Sequence, residues 1–285
     1  MSVRILQERL ESYQCSTWQE EEHSLKEILQ EIALAGLSRT DFFKQAAFQG
    51  GTALRIFYSL QRFSEDLDFL LRRSDSSFQL APYLHALQEE FQTYGITITV
   101  QDRSKADENV RKAFLKEDSI GKVLTLKHFP TDRKPKSLRV KLEVDSNPPQ
   151  AGGFETKYLD FPFPFPVTLQ DLPSLFAGKS HALLCREYVK GRDWYDFVWY
   201  VSRKTPINFE FLTNACRQVG HWEGIQLIAD KEWYLKEMKE KIKSIDWQTA
   251  KNDVARFLKA PELKTIEVWG RDFFLDRLQK MREYL

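Results

Sequence analysis

Two aspartates separated by one residue, Asp66 and Asp68, are the side chains of this sequence best suited to chemistry. They stand in residues 62–71, where apolar and polar residues alternate as in a strand with one buried face. Both carboxylates would project from one face, about 6.5 Å apart. Unpaired, they would repel each other by about 3 kcal/mol at an effective dielectric near 20. A bound divalent cation explains the pair, and a solvated strand face is the alternative.

A glycine pair, Gly50 and Gly51, precedes these aspartates and is followed by a predicted helix at residues 52–60. Two glycines leave backbone N–H groups accessible, and such groups at a helix N-terminus bind phosphate. Glycines and aspartates in this order favour phosphoryl or nucleotidyl transfer. In such a reaction, metal ions held by the carboxylates stabilise the attacking and leaving oxygens.

A third carboxylate is expected from a neighbouring strand. Residues 138–144 alternate in the same way, and both Glu143 and Asp145 lie on the polar side. Either could be a metal ligand or the base that deprotonates an attacking hydroxyl. We favour Glu143, with Asp145 as the alternative. Arg139 and Lys141 share this side, which is equally typical of an ordinary half-exposed strand.

Three further charged residues follow in the second half of the chain. Asp193 and Asp196 stand three apart at the start of a predicted helix, on one face. Taken alone, Asp193 is typical of a helix N-cap or first-turn acid, and Lys179 of a surface lysine.

The hydrophobic pattern predicts an α+β fold, with a small mixed or mainly antiparallel sheet followed by a helical C-terminal half. We expect a core domain at residues 1–150 and a mainly helical domain at residues 151–285, joined by a Pro/Gly-rich linker at residues 147–167. Strands are predicted at 62–71, 96–100, 123–129 and 138–144. Helices are predicted at 3–36 (one or two), 41–48, 52–60, 78–94, 172–188, 193–202, 209–219, 222–258 and 261–284.

Composition excludes several classes of protein. The chain has 42 Lys or Arg against 41 Asp or Glu, which excludes a strongly basic nucleic-acid coat and an acidic tail protein. Its three cysteines are far apart, without zinc-ligand spacing, as is typical of a reducing cytosol. No apolar run approaches the length of a membrane span, and no signal peptide is visible. We therefore expect a cytoplasmic protein with no membrane partner.

Four motifs in order resemble those of the AbiEii/AbiGii-type nucleotidyltransferase toxins, within the DNA polymerase β-like superfamily. They are GGTALR at 50–55, RFSEDLDF at 62–69, LPSLFAGKSHALLCR at 172–186 and KGRDWYDF at 190–197. The first two occur in many polymerase β-like enzymes. The lysine-bearing helix followed by RDWYDF is specific to this family, and the match runs over about residues 41–200.

The resemblance implies a magnesium-dependent active site with room for two ions and an NTP as substrate. Metal binding is implied for Asp66 and Asp68, with Glu143 as the third carboxylate. Lys179 would contact the nucleotide phosphates and offset charge on the leaving pyrophosphate, and Asp193 and Asp196 would complete the catalytic set. The residues implied to bind the nucleotide are Gly50, Gly51, Thr52, Arg55, Ser64 and Lys179.

The resemblance also implies a biological setting. Family members are toxins of two-component toxin–antitoxin systems, often used in abortive infection as phage defence, and some add nucleotides to tRNA 3′ ends. We therefore expect a monomeric enzyme with a separately encoded antitoxin.

The target is less sharply indicated by the sequence. Residues 101–142 hold twelve Lys or Arg against six Asp or Glu, a net charge of +6. Such a segment favours RNA weakly, although a solvated surface is an equal interpretation. NMPylation of a protein side chain remains an alternative. A nucleotide-binding interaction module without turnover is a second alternative, which the complete set of motifs argues against.

Overall fold

The computed structural model describes residues 2–104, 109–117, 119–128 and 137–285. The first half alternates helices and strands. Its elements are α1 (Ser2–Ser12), α2 (Trp18–Ser38), α3 (Phe42–Gln45), β1 (Ala46–Gln49), α4 (Gly50–Tyr58), β2 (Asp66–Leu71), α5 (Ala81–Thr93), β3 (Ile98–Asp102), β4 (Val110–Glu117), α6 (Ile120–Val123) and β5 (Leu138–Asp145).

Two more strands precede a run of helices in the second half. The elements are β6 (Phe154–Leu159), β7 (Phe165–Gln170), α7 (Leu172–Cys185), α8 (Gly191–Ser202), α9 (Phe209–Gln218), α10 (Lys231–Ser244), α11 (Trp247–Ala255), α12 (Ala260–Leu263), a 3-10 turn at Lys264–Ile266 and α13 (Arg271–Arg282). The predicted α+β class with a helical C-terminal half is confirmed.

One mixed sheet joins the seven strands in the order β3-β4-β5-β2-β1-β7-β6. β2 is an interior strand, parallel to β5 on one side and antiparallel to β1 on the other. Alternation along the strands buries one face, on which Leu67, Phe69, Leu142 and Val144 are 0–1% exposed. Burial of these side chains on one face leaves the intervening polar residues on the other, which fixes the register of the sheet.

The chain forms two compact units, and each is built from segments that are separate in sequence. The first contains Met1–Ala53, Ser64–Pro148 and Thr156–Leu169, and the second contains Leu54–Phe63, Pro149–Glu155 and Gln170–Leu285. The domain boundary that the sequence predicts at residue 150 lies in Pro149–Glu155, a segment of the second unit.

An aromatic cluster forms the core of the second unit. Trp194 and Phe197 of α8 pack edge-on or tilted against Phe274 of α13, with ring centroids 5.2 and 6.3 Å apart, and Trp247 stacks on Phe274 at 4.0 Å. These rings bury large apolar areas in α8, the helix that also carries Asp193.

Several predicted elements of the first half are wrong. Residues 41–48, predicted as one helix, form α3 and then β1, a short buried run without alternation. The strand predicted at 123–129 is absent from its described part, residues 123–128, where α6 ends, and Phe129 lies outside the described residues. β4 is a further strand that the sequence does not predict, because charges on both of its faces obscure the alternation.

The predictions for the second half need three corrections. The linker at 147–167 contains β6 and part of β7, because its prolines fall before β6, between the two strands or, in the case of Pro166, at an exposed position of β7. The single helix at 222–258 is divided into α10 and α11, each with an aspartate N-cap (Asp230 and Asp246). Residues 261–284 contain α12, the 3-10 turn and α13.

None of the helices in the described part of the chain combines the length and the apolar character needed to cross a bilayer. The three cysteines are free thiols.

Candidate active site

The parallel pairing of β2 with β5 places the candidate carboxylates of the first unit on one face. Asp68 is the register partner of Glu143, and Asp66 is the partner of Lys141. Register partners project to the same side, and all four residues are half-buried. Asp145 lies opposite Leu70, and its Oδ1 accepts a hydrogen bond from the Asn147 N–H at 2.9 Å. Of the two candidates, Glu143 is therefore the one aligned with Asp68.

Two lysines accompany these carboxylates. The Nζ atom of Lys141 lies 2.7 Å from Glu143 Oε2, and the Nζ atom of Lys112 lies 3.6 Å from Glu143 Oε1. Partial burial alone would lower the pKa of Lys141, but the charges of Glu143, Asp66 and Asp68 outweigh burial and raise it. Lys141 is therefore an ammonium ion at neutral pH and offsets part of the negative charge of this face.

The donor chemistry of the two aspartates fits magnesium. Carboxylate oxygens are the hard donors that magnesium prefers, and one or two of them commonly hold the ion together with substrate phosphates. Within the described residues, no three His, Cys, Asp or Glu side chains are grouped so that they could hold one ion. Asp66 and Asp68 thus offer a magnesium ion two hard donors on one face of β2.

Gly50 lies directly against the second aspartate. Its φ of +77° is in the left-handed region, and a Cβ added to it would lie 2.6 Å from Asp68 Oδ2. Thr52, which is fully buried, donates from Oγ1 to the backbone carbonyl of Asp66. The first turn of α4 is thereby fixed beside the carboxylate strand, where its backbone N–H groups can face an anion.

We expect Gly50→Ala to destabilise the protein by about 1–2 kcal/mol through the left-handed backbone alone, with a further cost from the contact with Asp68. Because the displaced group is a candidate metal ligand, the transfer activity that the sequence predicts should fall more than the lost stability explains. Thermal unfolding and transfer assays on the same samples measure both effects. Gly95→Ala is a matched control, because its φ of +72° is similar but an added Cβ meets nothing within 4 Å. Equal losses of activity in the two variants would contradict the assignment.

Two predicted nucleotide ligands have other neighbours. Arg55 lies in the last turn of α4, and its Nη1 donates to the backbone carbonyls of Leu60 at 3.3 Å and Gln61 at 2.9 Å. Ser64 is buried, and its backbone carbonyl accepts a hydrogen bond from Gln30 Nε2 at 3.1 Å. Both residues thus take part in local structure.

The second unit contains a buried cluster of charges. Lys179, on α7, places Nζ 2.7 Å from Asp193 Oδ1 and 2.9 Å from Asp196 Oδ2, both on α8. Asp193 is 3% exposed and Asp196 is fully buried. One helical turn separates the two aspartates, so both carboxylates lie on the side of α8 that Lys179 contacts.

Two arginines complete this cluster. Arg62 binds Asp196 with two hydrogen bonds, from Nε at 2.6 Å and from Nη2 at 2.7 Å, and Arg186 Nη1 donates to Asp193 Oδ2. Both arginines stand inside the recognised motifs, but neither was predicted as a site residue. Asp196, the acidic partner of Arg62, lies 134 residues away in sequence, so no local pattern could have identified this pair.

Neighbouring charges shift the pKa values of Asp193 and Lys179 in the cluster. Burial alone would raise the pKa of Asp193, but Lys179, Arg186 and Lys190 outweigh it and lower the pKa to about 2. Burial alone would lower the pKa of Lys179, and the two aspartates outweigh it and raise that pKa. Asp193 and Lys179 are therefore both charged at neutral pH.

These shifts predict how stability depends on pH. The pKa of Asp193 falls from 3.8 to about 2 on folding, so its contribution of about 2 kcal/mol is present above pH 3.8 and is lost as the pH falls towards 2. The contribution of Lys179, whose pKa is raised, is complete below pH 10.5 and is lost above it. Urea unfolding of the wild type and of Asp193→Asn, at pH 5 and at pH 2.5, measures how much stability is lost when Asp193 becomes protonated. The wild type should lose more stability than the variant between these pH values, and equal losses would contradict the ion pairing.

The candidate residues thus fall into two groups, one in each unit. The first unit holds Gly50, Gly51, Thr52, Ser64, Asp66, Asp68 and Glu143, with Asp145. The second unit holds Arg55, Lys179, Asp193 and Asp196.

Comparison with known proteins identifies a family over most of the chain. The family model described as "Nucleotidyl transferase AbiEii toxin, Type IV TA system" matches residues 32–277. No match is found among proteins of curated function.

Three solved structures share the fold at low sequence identity. A putative nucleotidyltransferase from Helicobacter pylori is 17% identical, with a TM-score of 0.51 over 90% of this chain and 92% of the other. JHP933 from Helicobacter pylori is 17% identical, with a TM-score of 0.52 over 92% and 91%. The nucleotidyltransferase toxin MenT4 from Mycobacterium tuberculosis H37Rv is 15% identical, with a TM-score of 0.51 over 99% of both chains.

Proposed function

Because the chain belongs to the AbiEii nucleotidyltransferase toxin family of type IV toxin–antitoxin systems, we propose that it transfers a nucleoside monophosphate from an NTP to an RNA, in the first place a tRNA. The bond that forms joins the α-phosphorus of the NTP to a hydroxyl oxygen of the RNA. The bond that breaks releases pyrophosphate, and the hydroxyl proton passes to a base or to water. We further propose that magnesium is required.

The observation that carries this proposal is the arrangement of Asp66, Asp68 and Gly50. Two carboxylates on one face of an interior strand adjoin the first turn of α4, whose opening glycine leaves no side chain between the backbone and Asp68. Anion-binding N–H groups and cation-binding carboxylates are the two features that a metal-bound triphosphate needs.

Asp66 and Asp68 would hold magnesium together with the phosphates of the NTP. When bound, the metal neutralises charge that develops on the transferred group and lowers the pKa of the attacking hydroxyl. The N–H groups of Gly51 and Thr52 orient the triphosphate. We assign the role of third carboxylate to Glu143, and its register pairing with Asp68 supports this proposal. Lys179 is proposed to contact phosphate, with its ammonium oriented by Asp193 and Asp196.

The test is direct transfer of label. Purified protein is incubated with magnesium, total tRNA and each α-labelled NTP in turn, and RNA and protein are resolved separately. Label on RNA with one NTP, lost in Asp68→Asn and retained in Asp272→Asn, is the expected result. Asp272 is a suitable control because its side chain is 90% exposed. Label on protein would replace the proposed target by a protein side chain, and no label on either would overturn the proposal.

The biological role that we propose follows from the family. The enzyme would act in the cytoplasm as the toxin of a phage-defence system by abortive infection, and a separately encoded antitoxin would neutralise it. Growth arrest on expression, abolished by Asp68→Asn, is the corresponding observation in cells.

A further inference from the structure

The face of the sheet that carries the candidate carboxylates continues beyond them onto β4. In the antiparallel pairing of β4 with β5, Lys112 lies opposite Glu143, Phe114 opposite Lys141, and Lys116 opposite Arg139. Opposed residues in a register share a face. We call Lys112, Phe114, Lys116, Arg139 and Lys141 the basic strand face.

The opposite side of these strands is the hydrophobic core. Ala113 and Leu115 of β4 and Val140 and Leu142 of β5 are 0–2% exposed. Phe114 points away from this core and is half-buried among charged neighbours. A Phe at this position is not required by the core, because the buried face is already supplied by its neighbours in sequence.

The charges around Phe114 have one predominant sign. Four cationic side chains surround it on the basic strand face, and the carboxylate of Glu143 is the acid at the end towards Asp68. Lys112 and Lys141, with side chains 30% and 32% exposed, lie between the aromatic ring and the carboxylates. An aromatic side chain flanked by cations is the usual arrangement for single-stranded nucleic acid, in which bases stack and phosphates pair with Lys and Arg.

We propose that the basic strand face binds a single-stranded segment of the RNA substrate, with a base stacked on Phe114 and phosphates held by Lys116 and Arg139. This inference rests on the proposed function. It adds the surface on which the RNA substrate binds. Asp66 is the register partner of Lys141 on the next strand, and Glu143 lies two residues beyond Lys141 on β5. A strand bound on this face would therefore place its end beside the carboxylates.

The properties of the face favour RNA over a protein target. An acidic peptide would pair with the cations but offers no planar base to Phe114, whereas a single strand supplies both phosphate and base. On β3, the neighbouring strand, Thr99 and Gln101 continue the same face as exposed polar residues opposite Lys116 and Phe114. These side chains can donate hydrogen bonds to sugar or base oxygens.

Fluorescence anisotropy with a labelled single-stranded RNA of mixed sequence tests the surface without turnover. Phe114→Ala should weaken binding by about tenfold, the range of one stacked base. The double variant Lys116→Ala/Arg139→Ala should weaken binding and reduce the slope of log K against log salt by about 1.4, the value for two lost phosphate contacts on a single strand. The affinity for NTP, measured by equilibrium dialysis, should be unchanged in both.

Matched controls separate this surface from general effects. Tyr158→Ala removes an aromatic side chain that is 70% exposed on β6, and Lys236→Ala/Lys239→Ala removes two exposed lysines of α10. Neither should alter RNA binding. Wild-type affinity in the variants of the basic strand face would overturn the proposal, as would a wild-type protein that binds no RNA. Failure of the labelling reaction with intact RNA binding would count against the proposed function alone.

Discussion

Replacing Asp68 with asparagine should reduce nucleotidyl transfer by about a thousandfold or more while the protein remains folded. Charge stabilisation by a bound metal contributes several kcal/mol in the transition state, and about 1.4 kcal/mol corresponds to a factor of ten. Asparagine has the shape of aspartate, so it fits against Gly50 as the native side chain does. It lacks the charge that would hold the cation.

The stability of this variant distinguishes loss of chemistry from loss of structure. Removing one of two neighbouring carboxylates relieves repulsion, so the unfolding midpoint in the absence of magnesium should stay the same or rise. Calorimetric titration with magnesium and a non-hydrolysable NTP should show weakened metal-dependent binding, which the exposed Asp272→Asn variant retains. An Asp68→Asn protein that turns over at the wild-type rate would show that the carboxylate face is not the active site.

Replacing Arg62 with alanine should destabilise the second unit by about 3 kcal/mol, the lower end of the range for a broken buried ion pair. Asp196 is fully buried and accepts two hydrogen bonds from Arg62. The variant leaves this carboxylate with Lys179 as its cation at 2.9 Å, which is why we expect the lower end. Arg62→Lys keeps the charge but loses the planar two-point contact, so its cost should be intermediate.

Urea unfolding followed by tryptophan fluorescence measures this effect, because every tryptophan except Trp18 belongs to the second unit. Arg271→Ala is the comparison within the same unit, since Arg271 and its partner Asp272 have side chains 64% and 90% exposed. An exposed pair of this kind contributes less than about 1 kcal/mol. If Arg62→Ala lost no more stability than the variant of the exposed pair, the buried pair would not stabilise the second unit.

The strands that carry the candidate site could be predicted because apolar and charged residues alternate along them. In β2 and β5 the buried Leu, Phe and Val alternate with charged residues, so the pattern identifies both the strand and its exposed face. The sequence also identified Gly50, whose requirement for a left-handed backbone is a local property. These features of the first unit can therefore be predicted from single segments of the chain.

What could not be predicted depends on partners far apart in sequence. Neither the pairing of Arg62 with Asp196 nor that of Glu143 with Lys112 on β4 leaves a local signal. The sequence predicts the end of a helix at the short β1, because four residues are too few for periodicity to decide. Pairing with β2 identifies these residues as a strand. Proline content marked residues 147–167 as a linker, although β6 and β7 extend the sheet there.

The position of β2 within the sheet has a consequence for motion. Hydrogen bonds to β1 and β5 hold it on both sides, so its amides exchange with solvent only when the sheet itself opens, whereas β3 and β6 at the edges open first. Asp66 and Asp68 thus belong to a slowly opening part of the first unit. The backbone that carries their carboxylates is therefore ordered before any substrate arrives, which lowers the entropy cost of bringing this pair of ligands into place.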